Sequence, residues 1–171
     1  MMAFRVAYFK VYYPLAYYAA YFGIRASAFN YAMMALGRPV LEKYMKEIKG
    51  KMDRKEASQK DEATYENMRL VQEMYARGFE FMQIDIFKVK AHEFQIIDGK
   101  LMPALDTIDG LGEKAADLIV EAVKDGPFLS REDFKNRCKV SQTVTETMAE
   151  LHLLGDIPAT NQISLMDLFQ L

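Results

Sequence analysis

The sequence predicts a mainly α protein with a small β-hairpin element, an α+β class, and three observations carry that expectation. Apolar residues recur at helical spacing along most of the 171 residues. Gly and Pro punctuate the chain at intervals that suit helices of about ten residues. Asp98-Gly99 stands between two apolar runs, the strongest short signal for a β-hairpin, because both central residues of a type I′ turn need positive φ. The length accommodates one domain or two small ones and excludes a disordered, collagenous or disulfide-stapled chain.

Residues 2–13 (MAFRVAYFKVYY) are apolar all round, with Arg5 and Lys10 as the only charges, and read as a helix buried on most faces. Pro14 breaks it. Residues 15–22 start a second helix with Gly23 as its stop, and residues 27–36 form a third ahead of Gly37 and Pro39. From Val40 to Gly50, Val40, Tyr44, Ile48 and Leu41, Met45 fall at helical spacing. The charge-dense run Gly50 to Lys60 is a linker or a solvated helix end. Residues 61–77 make an amphipathic helix with Met68, Val71, Met74 and Tyr75 inward, ended by Gly78.

The period then changes. Phe79, Phe81, Ile84, Ile86 and Val89 mark a stretch rich in aromatic and β-branched residues, and Glu93 to Ile97 meets Lys100 to Met102 across Asp98-Gly99. Met102 to Leu154 is helical again, broken at Gly110 to Gly112, Asp125 to Pro127 and Lys139 to Ser141. Ser130 and Ser141 are expected N-caps. Gly155 and Pro158 end regular structure ahead of the tail, residues 158–171.

The formal net charge of −2 averages two unlike halves. Residues 1–40 carry Arg5, Lys10, Arg25 and Arg38 and no acid, whereas residues 106–171 hold 6 basic against 12 acidic side chains. Seven of the 10 Tyr and four of the 11 Phe fall within the first 31 residues, a density that calls for a large packing partner. A single Cys, Cys138, cannot form an internal disulfide, which points to a reducing, cytoplasmic setting. The run Val11 to Ile24 is too short to span a bilayer, so no membrane partner is expected. Although it precedes Ala26-Ser27-Ala28 as a signal peptide would, Pro14 and five Tyr make it a poor hydrophobic region.

The sharpest motif is Ile108-Asp109-Gly110-Leu111-Gly112-Glu113-Lys114-Ala115-Ala116, a helix-hairpin-helix pattern. Gly110 takes the positive φ that closes a helix, Leu111 plugs the gap between two helices, and Gly112 lets the backbone approach an outside partner. The second helix leaves its first N–H groups free to hold a phosphate. Such contacts touch the nucleic-acid backbone and carry no sequence information. Gly110, Leu111, Gly112, Lys114 and Ala115 are the candidate DNA-binding residues, with Asp109 and Glu113 opposing them; a plain Gly-Leu-Gly turn between packed helices is the alternative. The tail residues Gln162, Leu165, Leu168 and Phe169 have the composition of a short linear motif with two hydrophobic anchors, or of a last turn packed on the chain's own core.

No catalytic residues and no metal ligands are evident. Two-metal nucleotidyl transfer needs paired carboxylates, and no Asp-x-Asp occurs; the two histidines, His92 and His152, are isolated in sequence, and Cys138 has no His beside it. Arg5 and Lys10, the two charges of the first helix, either aim at a functional partner or snorkel to solvent. A chain opening inside an apolar helix is expected to be a piece of a larger protein and, alone, to self-associate through its Tyr-rich surface.

The runs FRVAYFKVYYPLAYYAAYF, EMYARGFEFMQIDIFKV and DGLGEKAADLIVEAVKDGPFLSREDF, with the Gln-to-Leu-Phe tail, together resemble the C-terminal end of PolC-type DNA polymerase III alpha subunits, collinearly over essentially the whole chain. That resemblance implies that residues 1–75 are the end of a fingers region, in which Arg5 and Lys10 would contact template or nucleotide phosphate. It implies that residues 79–157 are a duplex-binding module, and that residues 158–171 carry a sliding-clamp peptide of the pattern Gln-Leu-Ser-Leu-Phe. Gln162, Ile163, Ser164 and Leu165 keep the start of that pattern, but Met166 and Asp167 intervene before Leu168 and Phe169. Asp109 replaces a Pro common in helix-hairpin-helix motifs. The implied partners are primer-template duplex, the sliding clamp and the rest of the polymerase chain. The implied cofactor is Mg2+ for the parent enzyme, with none in this segment. A free-standing helix-hairpin-helix DNA-binding protein is the alternative reading.

Overall fold

A computed structural model describes residues 2–159. It contains eight α-helices among the described residues: α1 (Met2–Tyr12), α2 (Pro14–Ile24), α3 (Tyr31–Met34), α4 (Arg38–Asp53), α5 (Gln59–Ala76), α6 (Glu113–Lys124), α7 (Arg131–Cys138) and α8 (Gln142–Glu150). The short strands β1 (Gln95–Ile97) and β2 (Lys100–Met102) pair antiparallel, with Ile96 opposite Leu101. Asp98 and Gly99 between them have φ of 50° and 75°, the double positive φ that the Asp-Gly pair foretells.

Local chemistry sets most helix ends. Pro14 and Pro39 occupy the first turns of α2 and α4, where a missing N–H costs nothing. Ser58 opens α5 with a reciprocal capping box to Asp61, and Ser130 and Ser141 cap α7 and α8 through the amides of Asp133 and Val144. Gly78, at φ 82°, follows α5.

Three sequence expectations need correction. The helix expected over residues 27–36 is a 3-10 turn (Ala26–Ala28) followed by the one-turn α3, because the Asn30 side chain accepts the Met33 amide and starts a new helix. Gly23 does not stop α2, which runs on to Ile24; its φ is not positive, so nothing there needs glycine's freedom. Ahead of Gly110 there is no α-helix but a single 3-10 turn, Leu105–Thr107. The turn ends because Ile108 is extended (φ −79°, ψ 126°), and its start is anchored where the amides of Leu105 and Asp106 donate to the carbonyls of Lys90 and Ala91, at 3.1 Å each.

Two apolar clusters form the interior. One gathers Tyr18 and Phe22 from α2, Phe29 from the segment before α3, and Leu41, Met68, Val71 and Met74 from α4 and α5, and is completed by Phe81, Phe94, Leu101 and Ala104 from the β region. The other gathers Ile84, Ile86, Leu105, Ile108, Leu111 and the inner faces of α6, α7 and α8. Phe29 meets Phe81 and Phe94 edge-on, at ring separations of 5.5 and 5.2 Å, so the β-hairpin is fastened to the N-terminal helices.

Helix α1 is the other correction: it is not buried on most faces. Phe4 is 79% exposed, and Val6, Phe9, Val11, Tyr12 and Tyr13 are each at least half exposed. Its apolar residues point all round, and its main packing partner among the described residues is α2, with one ion-pair tie to α5; no single neighbour can cover such a helix. That tie is Lys10, whose ammonium lies 2.8 Å from Glu73, while Arg77 donates to the Lys10 carbonyl and to the Tyr18 hydroxyl. The hydrogen bond to Glu73 raises the Lys10 pKa. Burial pushes the Glu73 carboxyl up, but the bonds from Lys10 and Tyr18 outweigh it and hold it below the ordinary range.

A surface of this kind associates with whatever apolar surface it meets. Sedimentation of the isolated chain should therefore show concentration-dependent self-association. The double change Phe4→Ser with Phe9→Ser should reduce it while leaving the melting temperature unchanged, because both side chains lie outside the core; a large fall in melting temperature would contradict their exposure.

Candidate nucleic-acid interface

The turn between the 3-10 limb and α6 is built from five residues with distinct roles. Ile108 is buried, and its carbonyl accepts the Leu111 amide at 3.1 Å. Asp109 is exposed. Gly110, also exposed, has φ 79°, which reverses the chain at a position where a side chain would be strained. Leu111 turns inward, 5% exposed, and fills the gap between the limb and α6. Gly112 stands extended (φ −74°, ψ 160°) as the N-cap of α6, with no side-chain bond and open space where a Cβ would project.

The first turn of α6 is tightened, since the amides of Ala115 and Ala116 both donate to the Gly112 carbonyl, at 3.0 and 3.1 Å. The outward donors at this terminus are therefore the amides of Glu113 and Lys114, and the Ala115 amide is already engaged. Lys114 is exposed and forms no ion pair among the described residues. Ala116 is fully buried and lets α6 approach the limb closely. Gly110, Gly112 and Lys114 are thus all exposed at this turn, as are Asp109 and Glu113.

A second turn repeats this construction, and sequence reading misses it because its residue types differ. Lys139 takes the left-handed conformation (φ 52°, ψ 37°), Val140 is buried at 6%, and Ser141 is the extended N-cap of α8 (φ −71°, ψ 159°). At one constant spacing, Leu105, Leu111, Ala116 and Ile119 correspond to Phe134, Val140, Thr145 and Met148, all buried. The repeat is in burial and backbone angle; a comparison of letters pairs Gly110 with Lys139 and does not register it. Lys139 projects an exposed charge at this second turn.

Other polar residues are occupied within the fold. Arg137 donates to the carbonyls of Ala122, Gly126 and Pro127 at 2.6 to 3.1 Å and lies 4.5 Å over the Phe128 ring, so it closes the end of α6. Cys138 is buried, and burial pushes its thiol up to about 12, an unreactive state at neutral pH. His152 lies in the turn after α8, where its carbonyl accepts from Gln83 at 2.8 Å. His92 bridges Asp106 and Asp117, at 2.9 and 3.1 Å, a contact invisible in sequence because its partners lie on two other elements.

Arg5 and Lys10 do not form one site. Five residues apart on a helix, they point about 140° from one another. Lys10 turns to Glu73, whereas Arg5 borders an apolar groove of about 350 Å³ between α1 and α2 with Val6, Phe9, Tyr17 and Tyr21. The tail residues Gln162, Leu165, Leu168 and Phe169 lie outside the described residues. Among the described residues, no three His, Cys, Asp or Glu side chains come together to hold a metal ion, and no helix is long and apolar enough to cross a membrane.

Residues 78–162 match a family described as a helix-hairpin-helix motif. Over 167 residues, 98% of its length, the chain is 42% identical to "DNA polymerase III PolC-type" of Streptococcus pneumoniae serotype 2 (strain D39 / NCTC 7466), of which it covers 11%. It is 43% identical over 169 residues to the protein of that name from Streptococcus agalactiae serotype III (strain NEM316), and 42% identical over 169 residues to that of Streptococcus thermophilus (strain LMD-9). It spans 99% of its own length and 12% of theirs in both cases, so it corresponds to a small part of these relatives.

The two glycines of the turn should respond differently to a methyl group. Gly110→Ala forces a left-handed alanine and should cost about 1–2 kcal/mol in urea unfolding. Gly112→Ala, at an ordinary φ and facing open space, should cost less, only the modest preference of an N-cap for glycine over alanine. Equal losses would mean that the turn is not held as described.

Proposed function

The chain belongs to the PolC-type DNA polymerase III family, and from that premise we propose that it is a non-catalytic, C-terminal part of a bacterial replicative DNA polymerase that grips the backbone of the primer-template duplex. The observation that carries the reading is the exposed edge of the Gly110 turn, where the Glu113 and Lys114 amides and the Lys114 ammonium face outward. Oriented amides and a helix N-terminus favour a phosphate oxygen without base contacts. The second turn, with Lys139 and the amides at the start of α8, adds a backbone contact of the same kind. A pair of such turns suits a duplex, which presents two phosphate rows.

The polymerase reaction itself belongs, on this reading, to carboxylates and divalent metal elsewhere in the parent enzyme. This chain's described residues assemble no ligand set for that metal, and no chemical step passes through it here. The tail would tether the enzyme to its sliding clamp: Leu168 and Phe169 fill a pocket on the clamp, and Gln162 and Leu165 set the register. A tether raises the effective concentration of the enzyme near its template, so a weak duplex contact suffices. The setting would be the bacterial cytoplasm.

Duplex binding tests the first half. Lys114→Glu should weaken binding to duplexes of unrelated sequence alike and lower the slope of log affinity against log salt by about 1. A sequence-selective loss would contradict backbone recognition. Clamp capture tests the second half: Leu168→Ala with Phe169→Ala should abolish retention on an immobilised sliding clamp while leaving duplex binding intact. Unchanged retention would assign the tail to the chain's own core.

A further inference from the structure

His92 stands alone in sequence and not in the fold. It sits in the loop whose Lys90 and Ala91 carbonyls already bind the amides of the 3-10 limb. Its ring reaches the two elements that flank the Gly110 turn: Nδ1 lies 2.9 Å from Asp106 Oδ2 on the limb, and Nε2 lies 3.1 Å from Asp117 Oδ1 on α6. These two carboxylates are the charged groups that face the imidazole from the elements packed against it; on its own loop, Lys90 and Glu93 pair with each other.

The geometry dictates a protonation state. Ionised carboxylate oxygens only accept hydrogen bonds, so both ring nitrogens must donate, and only the imidazolium carries two N–H groups. Neutral imidazole would keep one bond and turn a lone pair toward the other carboxylate. We propose that protonated His92 is the clasp that holds the limb and α6 together across the Gly110 turn and offsets the charge of Asp106 and Asp117, so that phosphate binding at the turn is strongest when His92 carries its proton. This rests on the backbone-binding reading above and deepens it: His92 touches no DNA and acts as a positioning residue.

The surroundings favour the charged form. The hydrogen bond with Asp106 raises the His92 pKa above its ordinary 6.5, burial opposes this, and Asp117 adds to the rise. For a histidine whose pKa is higher folded than unfolded, the clasp's contribution is fully present below about 6.5. It is lost as pH rises through the folded value. Loss of the proton leaves two negative charges beside a turn that already carries Asp109 and Glu113.

The chain has two histidines, so a His152→Gln background leaves His92 as the only imidazole. In the full chain on that background, the ring proton of His92 should titrate by NMR with a midpoint above 6.5. The amide resonances of Gly110 to Lys114 should move with the same midpoint. Asp117→Asn should lower that midpoint, and His92→Gln should abolish the amide titration while the chain stays folded by circular dichroism. A turn that ignores His92, or a midpoint indifferent to Asp117→Asn, overturns the clasp. Affinity for a blunt duplex at fixed salt should fall about two-fold between pH 6 and pH 8.5, the effect of one unscreened charge at roughly 10 Å, and His92→Gln should flatten that dependence. A turn that titrates with His92 in a chain that binds no duplex at any pH would support the clasp and sink the backbone-binding reading. A duplex affinity with the same pH dependence in His92→Gln would remove the clasp's part in binding.

Discussion

The edge-on meeting of Phe29 with Phe81 and Phe94 joins the β region to the N-terminal helices. Phe22 closes the group from α2, with ring separations of 5.2, 5.9 and 5.9 Å to Phe29, Phe81 and Phe94. Aromatic rings bury large areas and prefer tilted or edge-to-face pairs, so a cluster of four restricts rotation as well as separation. Phe81 bridges Leu101 of β2, whose amide donates to the Glu80 carbonyl and whose carbonyl accepts from Met82. The β-hairpin is too short to be stable alone and takes its position from this aromatic joint.

From β2 the constraint passes directly to the proposed phosphate edge. Pro103 and Ala104 are buried, Ala104 is extended, and the next two amides bond the loop at Lys90 and Ala91. A helical turn leaves its first amides without an internal partner, so these bonds anchor the start of the limb on the loop, and the limb ends after one 3-10 turn where Ile108 becomes extended. Thr107 reinforces it by donating its hydroxyl to the Ala104 carbonyl at 2.5 Å. A short limb has little freedom to slide or fray, which leaves Gly110 held from one side by the limb and from the other by Leu111 in the core. The chain thus trades a regular helix for a turn of defined position.

What could be read from sequence divides along physical lines. The hairpin at Asp98-Gly99, the positive φ of Gly110, the inward Leu111 and the Ser130 and Ser141 caps were legible because each is decided by one or two residues and their neighbours. Helix α5 was legible because Met68, Val71 and Met74 repeat at the helical period. The misreadings arose where distant partners decide. Apolar content all round α1 spoke of burial, but burial needs a neighbour, and α2 covers only one side. Amides of residues 105 and 106 anchor the limb on a loop about fifteen residues earlier, and His92 found carboxylates on two other elements. The second turn was hidden for another reason: Lys139 does there what Gly110 does in the first, and a lysine in the left-handed conformation leaves no mark in the sequence.

The acidity of the helix-hairpin-helix region bears on how such a module could work. A backbone-binding surface gains affinity from released counterions in proportion to the phosphates its cations neutralise. On the reading proposed, Lys114 stands beside Asp109 and Glu113 in sequence, so the electrostatic gain at the Gly110 turn would be small and the oriented amides would supply the rest. Amide contacts are short-ranged and indifferent to base sequence, and they are re-formed at each successive phosphate. A part of a replicative polymerase must hold a duplex that is continually moving past it, and tight anchoring by many cations would resist that movement. On the reading proposed, weak grip at the turns and strong retention by a separate tether are complementary requirements.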